Sequence, residues 1–255
     1  MSDVLITEKR GGVFIMTMNR PEARNAISFE TAQQLSVAFE TLDAREDLHI
    51  GILTGAGGTF CSGMDLKDFA KTRKRSSVPG KGFAGLNEAP PKKPLIAAVE
   101  GFAVAGGFEM MLACDLIVAA NNAMFGLPEV KRGLVAGGGG LVRLPRQVPY
   151  HIAMEILLTG EMFAASRAQQ YGLINVLTDP GQALGEALKL ARKICENGPL
   201  AVRTSKSVVV QGLDFPAAKM FDLQRPLTDH IFMSEDAKEG ATAFAEKRKP
   251  LWRGK

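Results

Sequence analysis

The chain has 255 residues, with 31 Lys plus Arg against 27 Asp plus Glu and a formal net charge of +4. Hydrophobic residues make up 46% and charged residues 23%, and a chain of this length buries roughly 70–75% of its unfolded surface. These proportions exclude disorder, collagen and a disulfide scaffold as whole-chain descriptions. The small positive excess leaves an anionic ligand open without demanding one.

Three cysteines, Cys61, Cys114 and Cys195, are far apart and show no CxxC spacing. A disulfide framework or a zinc site is therefore disfavoured, and no metal is expected. The start, Met1-Ser2-Asp3, has no basic region followed by a long apolar run, so no secretory signal is expected. No stretch reaches the roughly 18 uninterrupted apolar residues of a membrane span. A cytoplasmic protein without a membrane partner is the expectation.

In chain order, a first strand is predicted over Val13–Met18, broken by Asn19-Arg20-Pro21. Ser28 is placed to cap a helix through about Leu42, with Leu35, Ala38, Phe39 and Leu42 at helical spacing. Further strands are predicted at 50–54, Leu95–Val99 and 116–119, with a helix over 106–114 between the last two. Strands alternating with helices indicate an α/β architecture with crossover connections. Residues 71–93 hold Lys71, Arg73, Lys74, Arg75 and Lys81 among their basic residues, with three prolines and three glycines. They read as a long, partly mobile surface insertion of the kind that covers binding sites. Beyond Asn197-Gly198-Pro199 the pattern is helical, including a helix over 234–247 capped by Ser234. This sets a boundary near Pro199 between residues 1–198 and 199–255.

The glycine runs at 55–58 and 137–140 match neither a P-loop nor a dinucleotide fingerprint. They read as tight turns and close backbone approaches. Glu109 is a lone acid in the apolar stretch Ala105-Gly106-Gly107-Phe108-Glu109-Met110-Met111. Burial favours its neutral form and the helix N-terminus opposes that shift. Glu129 follows in Gly126-Leu127-Pro128-Glu129. Two such acids are candidates for proton transfer, against the plainer reading of one surface-helix and one turn residue. Gly106-Gly107 and Cys61-Ser62-Gly63-Met64-Asp65-Leu66 both look like helix starts with free amides, the raw material of an oxyanion hole. His49, His151 and His230 suggest no metal pair and no catalytic triad.

Several motifs taken together resemble the crotonase family, also called the enoyl-CoA hydratase/isomerase family. They are Asn19-Arg20-Pro21-Glu22-Ala23-Arg24-Asn25-Ala26, Phe60-Cys61-Ser62-Gly63-Met64-Asp65-Leu66, Gly106-Gly107-Phe108-Glu109, Phe125-Gly126-Leu127-Pro128-Glu129 and Phe244-Ala245-Glu246-Lys247-Arg248. The resemblance implies a crotonase-like spiral of ββα units with a C-terminal helical trimerisation region, assembled as a homotrimer or a dimer of trimers. It implies an acyl-CoA thioester substrate and addition of water across a 2-enoyl double bond. Coenzyme A enters only as part of that substrate, and no separate cofactor is implied.

Glu109 and Glu129 fall on the family's catalytic acids, and Met64 and Gly106 on its oxyanion amides. Substrate contacts fall on Ala23, Arg24, Ala26, Ser62, Gly63, Asp65, Leu66, Lys67, Gly107 and Pro128, with Lys247 from a neighbouring subunit. Ala136 stands where hydratases commonly carry a proline, and Met64 where a small residue is common. The bulky Met64, Asp65-Leu66-Lys67, Gly82-Phe83-Ala84-Gly85-Leu86 and the ending Pro250-Leu251-Trp252-Arg253-Gly254-Lys255 are similar to members acting as carnitinyl-CoA dehydratases, the alternative substrate class. RNA binding by the basic insertion, or a catalytically silent CoA-binding member, are alternatives of another kind. The first lacks aromatic interleaving and the second runs against retention of both glutamates.

Overall fold

The computed structural model describes residues 3–255; Met1 and Ser2, where the reading of the chain start begins, lie outside them. The strands are β1 (Leu5–Arg10), β2 (Val13–Met18), β3 (Ile50–Gly55), β4 (Ser77–Val78), β5 (Gly82–Phe83), β6 (Leu95–Val99), β7 (Phe102–Val104), β8 (Leu116–Ala120), β9 (Met124–Gly126), β10 (Phe163–Ala164) and β11 (Val176–Thr178). The helices are α1 (Phe29–Ala44), α2 (Leu66–Thr72), α3 (Gly106–Leu112), α4 (Gly140–Gln147), α5 (Tyr150–Thr159), α6 (Ala165–Gln170), α7 (Ala183–Cys195), α8 (Pro199–Gly212), α9 (Met220–Thr228) and α10 (Glu235–Ala245).

Six strands form the main sheet in the order β1-β2-β3-β6-β8-β11, antiparallel between β1 and β2 and parallel elsewhere. Parallel strands are buried on both faces, which is why β3 and β6 read as continuous apolar runs. The two-residue period sorts the side chains. Val13, Ile15, Ile50, Ile52, Ile96, Ala98 and Val118 pack under α7 through Ala183, Ala187, Leu188 and Ala191. Phe14, Met16, Leu53, Leu95, Ala97 and Val99 face the other way, into the core shared with α1 and α3. Burying each such leucine or isoleucine is worth about 1.5–3 kcal/mol.

A second, three-stranded sheet, β10-β9-β7, lies beside the first. The chain alternates between the two sheets, one strand in each, before turning into a helix: β6-β7-α3 is such a ββα unit. The repeating step carries the predicted spiral. The predicted strands and the cap of α1 are present, with the Ser28 side chain accepting from Thr31 N–H at 3.1 Å. Strand β1 and the short strands β7, β9, β10 and β11 carry too few alternating residues to stand out in the sequence.

Residues 71–93 differ from the expectation of a loosely held insertion. The stretch at 71–75 is exposed, but Ser76, Ala84, Leu86, Asn87 and Lys93 are buried. Ser76 Oγ donates to the Ile27 carbonyl at 2.5 Å. Gly85 packs so closely on α1 that a Cβ there would lie 2.6 Å from Ser36 Cβ. Lys93 Nζ donates to the Leu42 and Arg45 carbonyls at 2.8 and 2.6 Å, satisfying the C-terminal end of α1 where a cation is favoured. Local composition signals a loop, but these long-range contacts fasten it.

After residue 198 the elements are helical. Trp252 Nε1 donates to the Glu196 carbonyl at 2.7 Å and its ring lies against Gly198 and Gly240, a packing role for the single tryptophan. Among the described residues no helix is long and apolar enough to cross a membrane.

Lys93→Met keeps the stem but removes both bonds to α1, stranding two carbonyls. Urea unfolding should show a loss of about 1–3 kcal/mol. Arg146→Ala breaks only the exposed pair with Asp214 and should stay within about 0.5 kcal/mol of the parent.

Candidate active site

The site begins where two backbones touch. Cys61 N–H donates to the Phe102 carbonyl at 2.9 Å and Val104 N–H returns to the Cys61 carbonyl at 3.0 Å, laying the 61–65 turn along β7. Gly107 is needed for this approach, since a Cβ there would stand 2.2 Å from the Cys61 carbonyl oxygen. At Gly63 (φ +95) a Cβ would sit 3.2 Å from Gly106 N, so the Met64 turn and the start of α3 are neighbours. Ala105 precedes α3 with φ 52, a left-handed backbone that turns the chain sharply out of β7 and is held by its N–H bond to the Gly126 carbonyl (2.9 Å). Among the described residues, neither Met64 N–H nor Gly106 N–H has an acceptor. Two unsatisfied donors side by side suit an oxygen that gains negative charge.

One turn along α3, Glu109 is buried, 4% exposed. Its helix is fixed by Phe108, which packs between Phe125 and Phe163 at centroid distances of 5.8 and 5.7 Å. Burial pushes the Glu109 carboxyl upward from its ordinary value. Backbone N–H groups of the glycine run oppose that shift. Gly140 N–H donates to Oε1 at 2.9 Å, Gly138 contributes in the same sense, and the Arg143 guanidinium adds positive charge. The run must be glycine here, because a Cβ on Gly138 would lie 2.5 Å from Glu109 Oε2.

Glu129 stands on a single 3-10 turn, Pro128–Arg132, opened by the fixed φ of Pro128. Burial, with the charge of Glu109 adding in the same direction, raises its carboxyl to about 7. Its Oε2 is buried without a partner among the described residues. The Coulombic influence of Glu109 on Glu129 places the two acids in one electrostatic environment. Glu129 also lines a cavity of about 220 Å³ whose other walls are apolar, among them Leu127, Val130, Val135, Leu141, Met154 and Leu157.

The remaining expected residues lie on neighbouring surfaces of unequal character. The turn at 23–27 runs beside the Met64 turn. Ser62 N–H donates to the Arg24 carbonyl at 3.1 Å, and Ile27 N–H to the Gly63 carbonyl at 2.8 Å. Arg24, in the left-handed region with φ 51, is exposed, as are Leu66 and Lys67 at the start of α2. Ala26 is buried and its carbonyl accepts from Arg20 at 2.7 Å. The Asp65 carboxylate is occupied inside the protein. Oδ1 caps α2 through Lys67 N–H and Asp68 N–H, both at 3.0 Å, and Oδ2 pairs with Arg20 at 2.7 Å. Lys247 is exposed just past α10 with φ 54. Among the described residues no three His, Cys, Asp or Glu side chains cluster as metal ligands.

Sequence reading missed three groups around the acids: Asn87, Arg143 and Phe83. Asn87 Nδ2 donates to the Gly138 carbonyl at 2.6 Å, and Arg143 donates to the Asn87 carbonyl at 2.5 Å. The Phe83 ring lies against Gly106, where a Cβ would meet it at 2.6 Å. All three are distant in sequence from the residues they touch. Arg143 is half-buried on α4, and no local pattern in the sequence announces its contact with the site.

A family description reading enoyl-CoA hydratase/isomerase matches residues 8–255. The chain is 44% identical over 256 residues to the enoyl-CoA hydratase EchA19 of Mycobacterium tuberculosis, covering 96% of this chain and 94% of that protein. It is 39% identical over 264 residues to a carnitinyl-CoA dehydratase of Escherichia coli O157:H7, covering all of both. A crystal structure of a probable enoyl-CoA hydratase/isomerase from Mycobacterium abscessus superposes with a TM-score of 0.96 at 52% identity over the full length of both chains. With its spiral of ββα units and nearly its whole length matched, this chain belongs to the enoyl-CoA hydratase/isomerase, or crotonase, family.

Proposed function

We propose that this chain is a hydro-lyase of the enoyl-CoA hydratase type, adding water reversibly across the 2,3 double bond of a 2-enoyl-CoA thioester. One observation carries the reading: a buried carboxyl faced by backbone donors, Glu109, and a half-buried carboxyl with an unpartnered oxygen, Glu129, accompany the free N–H groups of Met64 and Gly106. Burial raises the Glu109 carboxyl, but the glycine amides and Arg143 oppose that rise, so it suits a base. Glu129, raised to about 7, keeps a proton to give. Water attacks Cβ as Glu109 takes its proton. The electron pair of the double bond moves onto the thioester oxygen, which Met64 and Gly106 N–H groups stabilise as an enolate. Cα then takes the proton of Glu129, and proton return from Glu109 to Glu129 or solvent resets the site. No resident cofactor takes part, and coenzyme A arrives with the substrate.

Exposed cations near the 23–27 turn and α2 suit the coenzyme A phosphates: Arg24, Lys67, Lys71, Arg73 and Lys74. Not all of the basic insertion is available for this. Lys93 caps α1, and Lys81 is paired with Glu40. Residues 199–255 are proposed as the assembly region of a homotrimer or a dimer of trimers. Helices α8 and α9 bury no residue within the chain, and Phe221, Phe232 and Met233 are 68%, 79% and 87% exposed. Delivery of Lys247 to a neighbour's substrate fits that arrangement. Free cysteines, two of them buried, suit a reducing cytoplasm.

The aliphatic cavity beside Glu129 favours an uncharged acyl chain. A quaternary ammonium group such as that of crotonobetainyl-CoA is better served by aromatic faces, whereas the side chains lining this cavity are aliphatic apart from Glu129. In a panel of thioesters, crotonyl-CoA and longer straight-chain enoyl-CoAs should show higher kcat/KM than crotonobetainyl-CoA; the reverse order would assign the carnitinyl-CoA dehydratase reading instead.

Purified protein should abolish the conjugated-enoyl absorbance of crotonyl-CoA. Glu109→Gln and Glu129→Gln should each lower kcat by about 10²–10⁴-fold with unchanged circular dichroism. Full activity in both variants would sink the assignment.

The rate should also depend on pH with a defined sign. Above about 7 Glu129 loses the proton that Cα needs, so hydration falls as pH rises through that value. On the acid side Glu109 becomes protonated and can no longer accept from water, so the profile is bell-shaped. Initial rates of crotonyl-CoA hydration between pH 4 and pH 9 would show both limbs.

A further inference from the structure

Asn87 stands between the two halves of the site. Its backbone N–H donates to the Phe83 carbonyl at 3.2 Å, and Phe83 is the ring that lies against Gly106. Its side-chain Nδ2 reaches the Gly138 carbonyl at 2.6 Å, on the glycine run that cradles Glu109. One point in space, where a Cβ on Gly138 would sit, is 2.5 Å from Glu109 Oε2 and 3.2 Å from Asn87 Nδ2. Oδ1 shares a carbon with Nδ2, so the two atoms are no more than about 2.6 Å apart.

Asn87 is 2% exposed, yet its Oδ1 has no hydrogen-bond partner among the described residues. The only other buried side-chain atom in that position there is Glu129 Oε2. Exchanging the amide's oxygen and nitrogen would set oxygen against the Gly138 carbonyl oxygen, acceptor on acceptor, so the orientation is fixed by its neighbour. A buried carbonyl without a donor is costly, and in a polar recess it marks a place for water. Phe83 and Arg143 hold the residue from either side, so the orphaned oxygen is built into the fold.

We propose that Asn87 holds the water that adds to the enoyl double bond. Its Oδ1 accepts one O–H of the water and Glu109 Oε2 accepts the other. The lone pair of the water oxygen is then free for Cβ. As the C–O bond forms, the proton facing Glu109 passes to that carboxylate and the π pair moves to the thioester oxygen. Asn87 keeps its own protons throughout. The inference rests on the hydratase reading and adds to it a residue that none of the motif positions contains.

A second reaction separates this role from general support of the site. In D₂O at pH 8, ionised Glu129 can remove a Cα proton from saturated butyryl-CoA and return a deuteron, using the oxyanion amides but no added water. Asn87→Ala should lower kcat for crotonyl-CoA hydration by about ten- to hundredfold, the loss expected when one hydrogen bond to a buried polar partner is removed. KM for crotonyl-CoA and deuterium exchange into butyryl-CoA should stay within about twofold of the parent, because neither uses the added water, and the acid limb of the hydration profile should stay in place; a shifted acid limb would mean that the variant acts through the Gly138 bond and the Glu109 cradle instead, overturning the proposal. If hydration and exchange fall together, Asn87 only supports the site. If neither falls, the water is held elsewhere. Should Asn87→Ala fail to fold, Asn87→Leu fills the same space without polar atoms and is read by the same two assays. Parent protein that exchanges butyryl-CoA but does not hydrate crotonyl-CoA would overturn the hydratase reading itself, a result distinct from any failure of Asn87.

Discussion

A carboxyl group cannot sit in an apolar wall without partners that offset its lost hydration, and Glu109 is such a group. It projects from a helix whose described residues are all buried, and moving an isolated carboxylate into such surroundings is strongly unfavourable. The structure answers with backbone rather than with a paired cation at contact distance. Gly140 N–H donates directly, Gly138 lies against the carboxylate, and Arg143 supplies charge from the next layer. Most of the local architecture follows from that need. The run at 137–140 must lack side chains, Asn87 must hold Gly138, and Arg143 must hold Asn87.

The contrast with Glu129 shows how one fold gives two chemically identical side chains different surroundings. Glu129 has no comparable set of donors, and one of its oxygens has no partner among the described residues. It therefore keeps its proton to about neutrality, and the negative charge of Glu109 pushes it further the same way. Different surroundings alone give the two carboxyls different proton affinities. The two free amides are positioned by backbone crossing. Without a side chain on Gly107, the Cys61 turn can approach α3 closely enough to bring Met64 and Gly106 N–H groups together.

The segment at 71–93 links the two parts. Its basic stretch at 71–75 is exposed, while its second half is fastened to α1 and delivers Phe83 to Gly106 and Asn87 to Gly138. A stretch rich in glycine, proline and lysine thus supplies two walls of the site. Its glycines serve left-handed turns and close packing on α1 rather than mobility. Part of the charge that suggested an anionic ligand is spent on structure, with Lys93 closing a helix end and Lys81 paired with Glu40.

Periodicity and punctuation in the sequence by themselves determined the α/β alternation, the Ser28 cap, the central strands and the change to helices after residue 198, because each depends on neighbours two to four positions apart. The same local logic marked Glu109 as an acid in an apolar helix, Glu129 as a second acid in a turn, and the Met64 and Gly106 turns as sources of free amides. The motif set carried the family. Tertiary structure alone decided what those groups experience. Whether a carboxyl is neutral or charged depends on donors that lie up to 31 residues away in the chain, as Gly140 does from Glu109. The burial of Ser76, Ala84, Leu86, Asn87 and Lys93, the commitment of Asp65 to Arg20 and α2, and the unpartnered oxygen of Asn87 were likewise invisible locally. Each arises from segments that meet only when two sheets and their crossover helices close on one another.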